Sequence, residues 1–289
     1  MIGESELIIT SRGAVYHLDL RPEEIADTII TVGDPARVEQ ISRHFVKVEL
    51  IRHHREFVTH TGYLSGKRLT VISTGIGTDN IDIVLHELDA LANIDLQTRE
   101  PRGELKSLTF IRIGTSGAMR HDIPVDSWVV SESAIGLDGL LNFYKLHNTP
   151  EEKNLLHAFV NHVQKNELHF IPYMASASPK LVSLFEDKMT KGITVTCPGF
   201  YGPQGRMLRT ELTYPNLIPL LSSFIFGNRH LTNFEMETAG IYGLSRILGH
   251  EAVSLNAIVA NRADKKFSTD HQDTVERLIR FALERIATR

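Results

Sequence analysis

Three arginines stand where a guanidinium needs something negative to meet it. Arg37 follows an apolar run and the turn Gly33-Asp-Pro35. Arg55 lies in His53-His-Arg-Glu-Phe57, and Arg112 lies inside Leu108-Thr-Phe-Ile-Arg-Ile113. An arginine within such a strand is costly unless a partner neutralises it. A phosphate or carboxylate ligand would do so. The backbone N–H groups and hydroxyls of Thr74-Gly-Ile-Gly77 and Gly114-Thr-Ser-Gly117 would then complete an oxyanion site. The alternative is a surface Arg37, an Arg112 paired with a buried acid, and glycine turns with no further role. Neither glycine loop matches a Walker loop or the Gly-x-Gly-x-x-Gly dinucleotide fingerprint.

A second group is acidic. Glu235-Met-Glu237 follows Asn233-Phe234 and reads as the opening of a helix. Carboxylates there either complement the helix dipole or accept hydrogen bonds from a polyol such as a sugar. A third group is the loop Gly199-Phe-Tyr-Gly-Pro-Gln-Gly-Arg206, which places an aromatic ring, an amide and a guanidinium close together. An amide donates and accepts at once, which suits a planar heterocycle showing both a carbonyl and an N–H. Phe200 would pack on the same ring. An ordinary surface loop built on Gly/Pro turns is the other reading. None of the 14 histidines falls in His-Glu-x-x-His, and the adjacent His53 and His54 lack a third ligand. Cys197, just before Pro198, reads as a small buried residue. Ser116 sits in Gly-Thr-Ser-Gly and not in a Gly-x-Ser-x-Gly elbow, so serine hydrolase chemistry has little support.

These residues need a scaffold. Thr28–Val32, Leu69–Ser73, Leu108–Ile113, Ser127–Ser131, Ile193–Thr196 and Val253–Ala260 read as strands. Pro35 is placed to open a helix. Ile81, Val84, Leu85 and Leu88 give the spacing of a helix with one buried face, beginning near Thr78. Leu155, Leu156, Phe159, Val160 and Val163 mark another. Leu181, Leu184, Phe185 and Met189 mark a third, with Ser178 as its N-cap and Pro179 at its first position. A helix from Met236 through Leu248 should stop near Gly249. The last is predicted from about Thr269, with Thr269 and Gln272 forming a capping box. Strands ending in glycine turns before helices or long loops favour an α/β fold with a central mixed β-sheet flanked by helices. Ligands in such folds gather beyond the C-terminal ends of the strands. With no Gly-, Ser- or Pro-rich linker and no internal repeat, residues 1–289 read as a single domain.

Composition narrows the classes. The net charge is -4 over 289 residues, which excludes a nucleic-acid binder acting through overall charge. One cysteine excludes an internal disulfide framework and any multi-cysteine metal site, so a cytoplasmic setting is expected. No apolar run of about 18 residues is present, so no membrane partner is expected. The N-terminus has no secretory signal pattern.

Taken in order, Tyr16-His-Leu18, Gly33-Asp-Pro-Ala-Arg37, His54-Arg-Glu-Phe57, Ser73-Thr-Gly-Ile-Gly77, Arg112-Ile-Gly-Thr-Ser-Gly117, Phe200 to Arg206, Asn233-Phe-Glu-Met-Glu237 and Asn261-Arg262 make the chain resemble the nucleoside phosphorylase family, on its uridine phosphorylase branch. The resemblance implies that Gly33, Arg37, Arg112 and Thr115 bind phosphate. It implies that Arg55 reaches the phosphate, and His17 the ribose, of a neighbouring subunit. Glu237 would bind the ribose hydroxyls with Met236 against the sugar and Glu235 assisting. Gln204 and Arg206 would read the uracil edge, with Phe200 beside the base and Arg262 acting indirectly near it. Arg112, Gln204, Arg206 and Glu237 would carry the catalysis.

The resemblance further implies reversible phosphorolysis of uridine, with inorganic phosphate as co-substrate and no organic cofactor. No metal ligands are expected, beyond a structural ion at a subunit contact. Shared sites require a homo-oligomer, at least a dimer, with dimer against hexamer left open. The purine branch carries Ser-Asp-His after the late strand, where this chain has Asn261-Arg262-Ala263, with its first acid at Asp264. That difference and the Gln204/Arg206 pair point to a pyrimidine. Other nucleosides, and a non-catalytic nucleoside sensor, remain as alternatives. Two departures from the family's pattern are the spacing of the base loop and Thr78-Asp-Asn80 in place of Gly-Pro-Ser.

Overall fold

The computed structural model describes residues 1–166 and 168–288. In chain order the main elements are β1 (Thr28–Val32), α1 (Pro35–Ser42), β2 (Lys47–His54), β3 (Phe57–Leu64), β4 (Lys67–Ser73) and α2 (Thr78–Asn93). Then come β5 (Thr109–Ala118), β6 (Trp128–Gly136), α3 (Pro150–Gln164), β7 (Tyr173–Ser176), α4 (Pro179–Val182) and β8 (Thr190–Thr196). The chain ends with α5 (Leu217–Ser222), β9 (Arg229–Glu235), α6 (Thr238–Leu248), β10 (Glu251–Asn261) and α7 (His271–Thr288).

Local chemistry explains most of these boundaries. Asp34 caps α1 by accepting from Ala36 N, and Pro35 fits the first helical position. Ile81, Val84, Leu85 and Leu88 of α2 are fully buried, as their spacing predicts. Thr149 and Glu152 form a capping box on α3. Gly249 ends α6 in the left-handed conformation, with φ 80°.

Three expectations need correction. The helix expected from Pro179 to Met189 is a single turn, α4, followed by a 3-10 turn at Glu186–Lys188. Leu181, Phe185 and Met189 are buried nonetheless and Leu184 is half-buried: Phe185 meets Phe281 of α7 at 6.3 Å, and the chain must turn at once to enter β8. Ser178 makes no side-chain cap. The Thr269/Gln272 box does not form either. Asp270 accepts from Asp273 N at 3.2 Å, so the stronger capping residue sets the start of α7 one position later. Finally, Glu235-Met-Glu237 is not a first helical turn. Glu235 ends β9, and the helix begins at Thr238.

The strands lie in the order β9-β8-β6-β10-β5-β1-β4-β3-β2, with β7 beside β6. The sheet is mixed, as expected: β4, β1, β5 and β10 run parallel, as do β6, β8 and β9, while β6 is antiparallel to β10. Sequence reading missed β2 and β3. The edge strand β2 is exposed or half-buried throughout, and a bulge between Val48 and Leu50 with the adjacent Leu50 and Ile51 breaks its polar/apolar alternation. The largest core cluster joins the sheet to α1, α2, α6 and α7, and a second cluster seats α3 and α5 through Phe159, Leu217 and Phe224.

One strand decides where a ligand can sit. β5 pairs with β1 only as far as Arg112, opposite Thr31. Beyond that point it stays with β10 and bonds antiparallel to β9 at Gly117 and Ala118. Strands β5, β10, β6, β8 and β9 thus close into a ring. A cleft is left where β5 parts from β1, at the C-terminal ends of the parallel strands. This is the position that α/β sheets offer to ligands.

Candidate active site

A cavity of about 1650 Å³ fills this cleft. At its floor Arg112 runs across Gly114. A Cβ at Gly114 would stand 2.0 Å from the guanidinium, so only glycine permits the arginine's path. Arg112 Nη2 donates to Glu237 at 2.6 Å and lies 3.2 Å from Glu235. Arg112 Nη1 donates to Asn256 Oδ1 at 3.0 Å. Within the chain this arginine therefore meets a pair of buried carboxylates, which is the alternative reading of an Arg112 paired with a buried acid.

The carboxylates are held from several sides. Glu235 Oε2 accepts from Glu237 N at 2.9 Å and Thr238 N at 2.8 Å, so it caps α6 from the end of β9. Glu237 Oε1 accepts from Gly77 N at 2.9 Å. The glycine turn predicted to serve an anion thus spends that N–H on Glu237. Burial opposes charge on Arg112, but the two glutamates outweigh it and hold the guanidinium above its usual value. Burial pushes Glu237 up, and Glu235 adds to the push against the pull of Arg112.

Gly33, Arg37, Gly114 and Thr115 line the cavity beside Arg112. Arg37 donates only a long bond, to Ile113 O at 3.4 Å, and its buried Nε has no partner among the described residues. Burial lowers its pKa, and Arg112 adds to that effect while Asp34 opposes it. Two cationic side chains therefore share one end of the cavity, the first committed to carboxylates and the second largely uncommitted.

At the other end Phe200, Gln204, Arg206 and Arg262 line the wall. The Arg206 guanidinium lies 3.7 Å from the Phe200 ring centroid, a cation–π arrangement. Its Nη1 donates to Gln204 Oε1 at 2.7 Å and to Phe200 O at 2.7 Å. With Oε1 taken, the buried Gln204 has its NH2 group left to offer. Burial, and next the charge of Arg262, lower Arg206 to about 10. Arg262 Nη1 donates to Gln204 O at 3.0 Å, so it fastens the loop by its backbone. Asn261 donates to Arg120 O and Ile123 O at 2.8 Å each and pins the chain after β5. Met236 also lines the cavity.

Two expected residues are absent from the cavity lining. His17 pairs with Glu87 at 2.7 Å. Arg55, with φ 55° in the turn between β2 and β3, lies 5.1 Å from the Tyr16 ring. His54 Nδ1 meets His17 O at 2.8 Å, so these residues form their own cluster outside the cavity. Sequence reading missed Asn256 and Ser254, and named Asn233 within a motif without giving it a role. For Ser254 and Asn256 a signal was present, polar side chains inside the apolar strand β10, the same cue that marked Arg112; β9 reads Arg-His-Leu-Thr-Asn-Phe-Glu and offers no such contrast around Asn233.

Known proteins of similar sequence and fold point to one family. A family model described as Phosphorylase superfamily matches residues 27–288. A uridine phosphorylase of Thermococcus kodakarensis is 29% identical over 264 residues, covering 89% of this chain and 81% of that one. A DeoD-type purine nucleoside phosphorylase of Buchnera aphidicola is 24% identical over 273 residues, covering 93% and 98%. Among solved structures, a Trypanosoma brucei nucleoside phosphorylase described as showing uridine phosphorylase activity superposes with a TM-score of 0.89 at 31% identity, over 98% of this chain and 100% of that one. Among the described residues, no helix is long and apolar enough to cross a membrane. On the extent of the family match, with its sheet and cleft to accord, the chain belongs to the phosphorylase superfamily.

Proposed function

We propose that this protein catalyses reversible phosphorolysis of uridine to uracil and ribose 1-phosphate. The observation that carries the reading is a single cavity joining two arginines, a buried glutamate pair and the Gln204/Arg206 pair. Arg37 and Arg112, with Gly33 N–H and the Thr115 hydroxyl, hold the phosphate dianion beneath the sugar. Glu237 accepts the ribose hydroxyls, Glu235 steadies it, and Met236 packs on the sugar. Phosphate oxygen attacks C1' as the glycosidic bond breaks, and the bonding pair leaves with the base. The Gln204 NH2 and the Arg206 guanidinium donate to the oxygens where that charge collects, while Phe200 faces the ring. Arg262 acts through the loop it fastens.

Arg55 and His17 complete the phosphate and ribose sites of a second copy, which makes the working unit a homo-oligomer. Their place outside the chain's own cavity supports this assignment. A purine nucleoside is the second reading, favoured by the purine phosphorylase among the relatives. Asn261 and Arg262 favour the pyrimidine, because no acid directly follows β10 to protonate a purine ring nitrogen.

The test is uracil release from uridine with and without phosphate, beside deoxyuridine, thymidine, inosine and adenosine. The expected result is phosphate-dependent release, fastest from uridine. Release from none of these nucleosides overturns the reading.

A further inference from the structure

The closed ring of strands has a polar interior that the reaction above does not use. Asn256 of β10, Ser131 of β6, Thr194 of β8 and Asn233 of β9 meet there at 0% exposure. Ser116 of β5 joins them from the cavity wall, itself 6% exposed. The contacts form a chain with two side branches: Ser254 Oγ lies 3.3 Å from Asn256 Nδ2, and Thr232 Oγ1, which also bonds Ile193 O at 3.1 Å, lies 2.8 Å from Asn233 Oδ1. Arg112 Nη1 lies 3.0 Å from Asn256 Oδ1, and Asn256 Nδ2 lies 3.1 Å from Ser131 Oγ. Ser131 Oγ is 2.5 Å from Thr194 Oγ1, which is 2.9 Å from Asn233 Oδ1. Asn233 Nδ2 is 2.9 Å from Ser116 Oγ.

Proton accounting gives this chain a direction. A guanidinium only donates, so Asn256 must turn its oxygen to Arg112 and its NH2 to Ser131. Ser131 then accepts from Asn256, and Thr194 is the acceptor its own proton has among the described residues. Thr194 passes its proton to Asn233 Oδ1, so the Asn233 amide must turn its NH2 to Ser116. Ser116 Oγ accepts that bond, and its proton has no partner among the described residues. It is left for the cavity.

We propose that Ser116 is a ligand-facing hydrogen-bond donor, and that Asn233, Thr194, Ser131 and Asn256 are positioning residues transmitting to it the donor polarity of Arg112. The acceptor is an oxygen of the bound phosphate or of the nucleoside. The ligand rests on the function proposed above, whereas the direction of the chain does not.

Two measurements test it. Neutron diffraction from a deuterated crystal should place the Ser131 deuteron toward Thr194, the Thr194 deuteron toward Asn233 and the Ser116 deuteron into the cavity. A deuteron reversed at any of these links overturns the proposal, whatever the enzyme's substrate. In kinetics, Ser116→Ala and Thr194→Val should each lower kcat/KM by about three- to tenfold, the scale of one neutral hydrogen bond. The double variant should fall no further than about twofold below the worse single, because both changes remove the same bond. Thr194→Ser, which keeps the hydroxyl, should stay within about twofold of wild type. Additive losses, or a Thr194→Ser as poor as Thr194→Val, would reduce Thr194 to a packing role and sink the idea. A raised KM for phosphate assigns the acceptor to phosphate, and a raised KM for nucleoside assigns it to the nucleoside. If wild type releases no base, the proposed function fails and the neutron map still decides the chain.

Discussion

Glu152 and Glu237 are both buried glutamates gripped by arginines, and they are held very differently. Glu152, in the first turn of α3, takes both nitrogens of Arg246 at 2.7 and 2.8 Å. It also accepts from Thr149 N at 2.8 Å, Ser176 N at 3.0 Å and the Ser176 hydroxyl at 2.7 Å. Burial alone would raise its pKa, but these donors outweigh it and bring the carboxyl down to about 2. Glu237, at the cleft, receives one nitrogen of Arg112 and one backbone N–H, and shares that arginine with Glu235. Its pKa is raised. One pair has its donors saturated and the other is short of them. A fully satisfied ion pair holds elements together. A crowded one with too few donors has attraction to spare for a ligand's hydroxyls, and such perturbed groups mark functional sites.

The strongest way to break this contrast is Arg112→Met. It leaves two buried carboxylates without a counter-charge, a loss of about 3–5 kcal/mol for the pair. Phosphorolysis should fall by about 100-fold or more in kcat/KM. A variant with full activity would remove Arg112 from the site.

Glu152→Gln tests the other half. It should cost about 2–3 kcal/mol in denaturant unfolding while kcat/KM stays near wild type. The carboxyl's folded value of about 2 lies below its ordinary 4.5, so its stabilisation is complete above about pH 4.5 and is lost as pH falls toward 2. Unfolding measured from pH 6 down to pH 2 should show the wild-type advantage shrinking over that interval. An activity loss without destabilisation would contradict the division of roles.

Glu235→Gln sharpens the contrast from within. It removes the like charge that helps raise Glu237, so Glu237 should ionise at lower pH. The acid limb of kcat/KM should then move downward, and an unmoved limb would mean that Glu237 does not govern it.

The smallest effect is expected at Arg262→Gln. Its Nη1 bond to Gln204 O is a contact that fastens the base loop, so losing it should raise the KM for nucleoside by about two- to fivefold and leave kcat near wild type. An unchanged KM would mean that the loop is held without Arg262.

Much of the scaffold was legible in the chain. Strands whose apolar residues are contiguous, such as β1 and β4, and helices with a clear face, such as α2, announce themselves because burial imposes the period. The edge strand β2 did not, since no residue of it is fully buried and a bulge interrupts its alternation. The stretch after Pro179 misled, because its buried apolar spacing suits a helix and equally suits two short turns. At the site, Arg112 was visible as a charge inside an apolar run, but its partners were not. Glu235 and Glu237 lie more than a hundred residues away, and no local pattern links them.

What the sequence determined by itself was the kind of chemistry: arginines and glycine turns for an oxyanion, carboxylates for a polyol, an amide–guanidinium loop for a heterocycle. It also determined that an α/β sheet would carry them, because residue type and spacing act locally. Tertiary structure alone decided which groups are already spoken for. β5 parts from β1 at Arg112 and closes on β9, and that crossing brings Arg112 to the glutamates, draws the Gly77 N–H to Glu237, and leaves Arg37 largely unpaired beside them. Such commitments depend on distances of about 3 Å between residues remote in sequence, where burial makes each hydrogen bond obligatory.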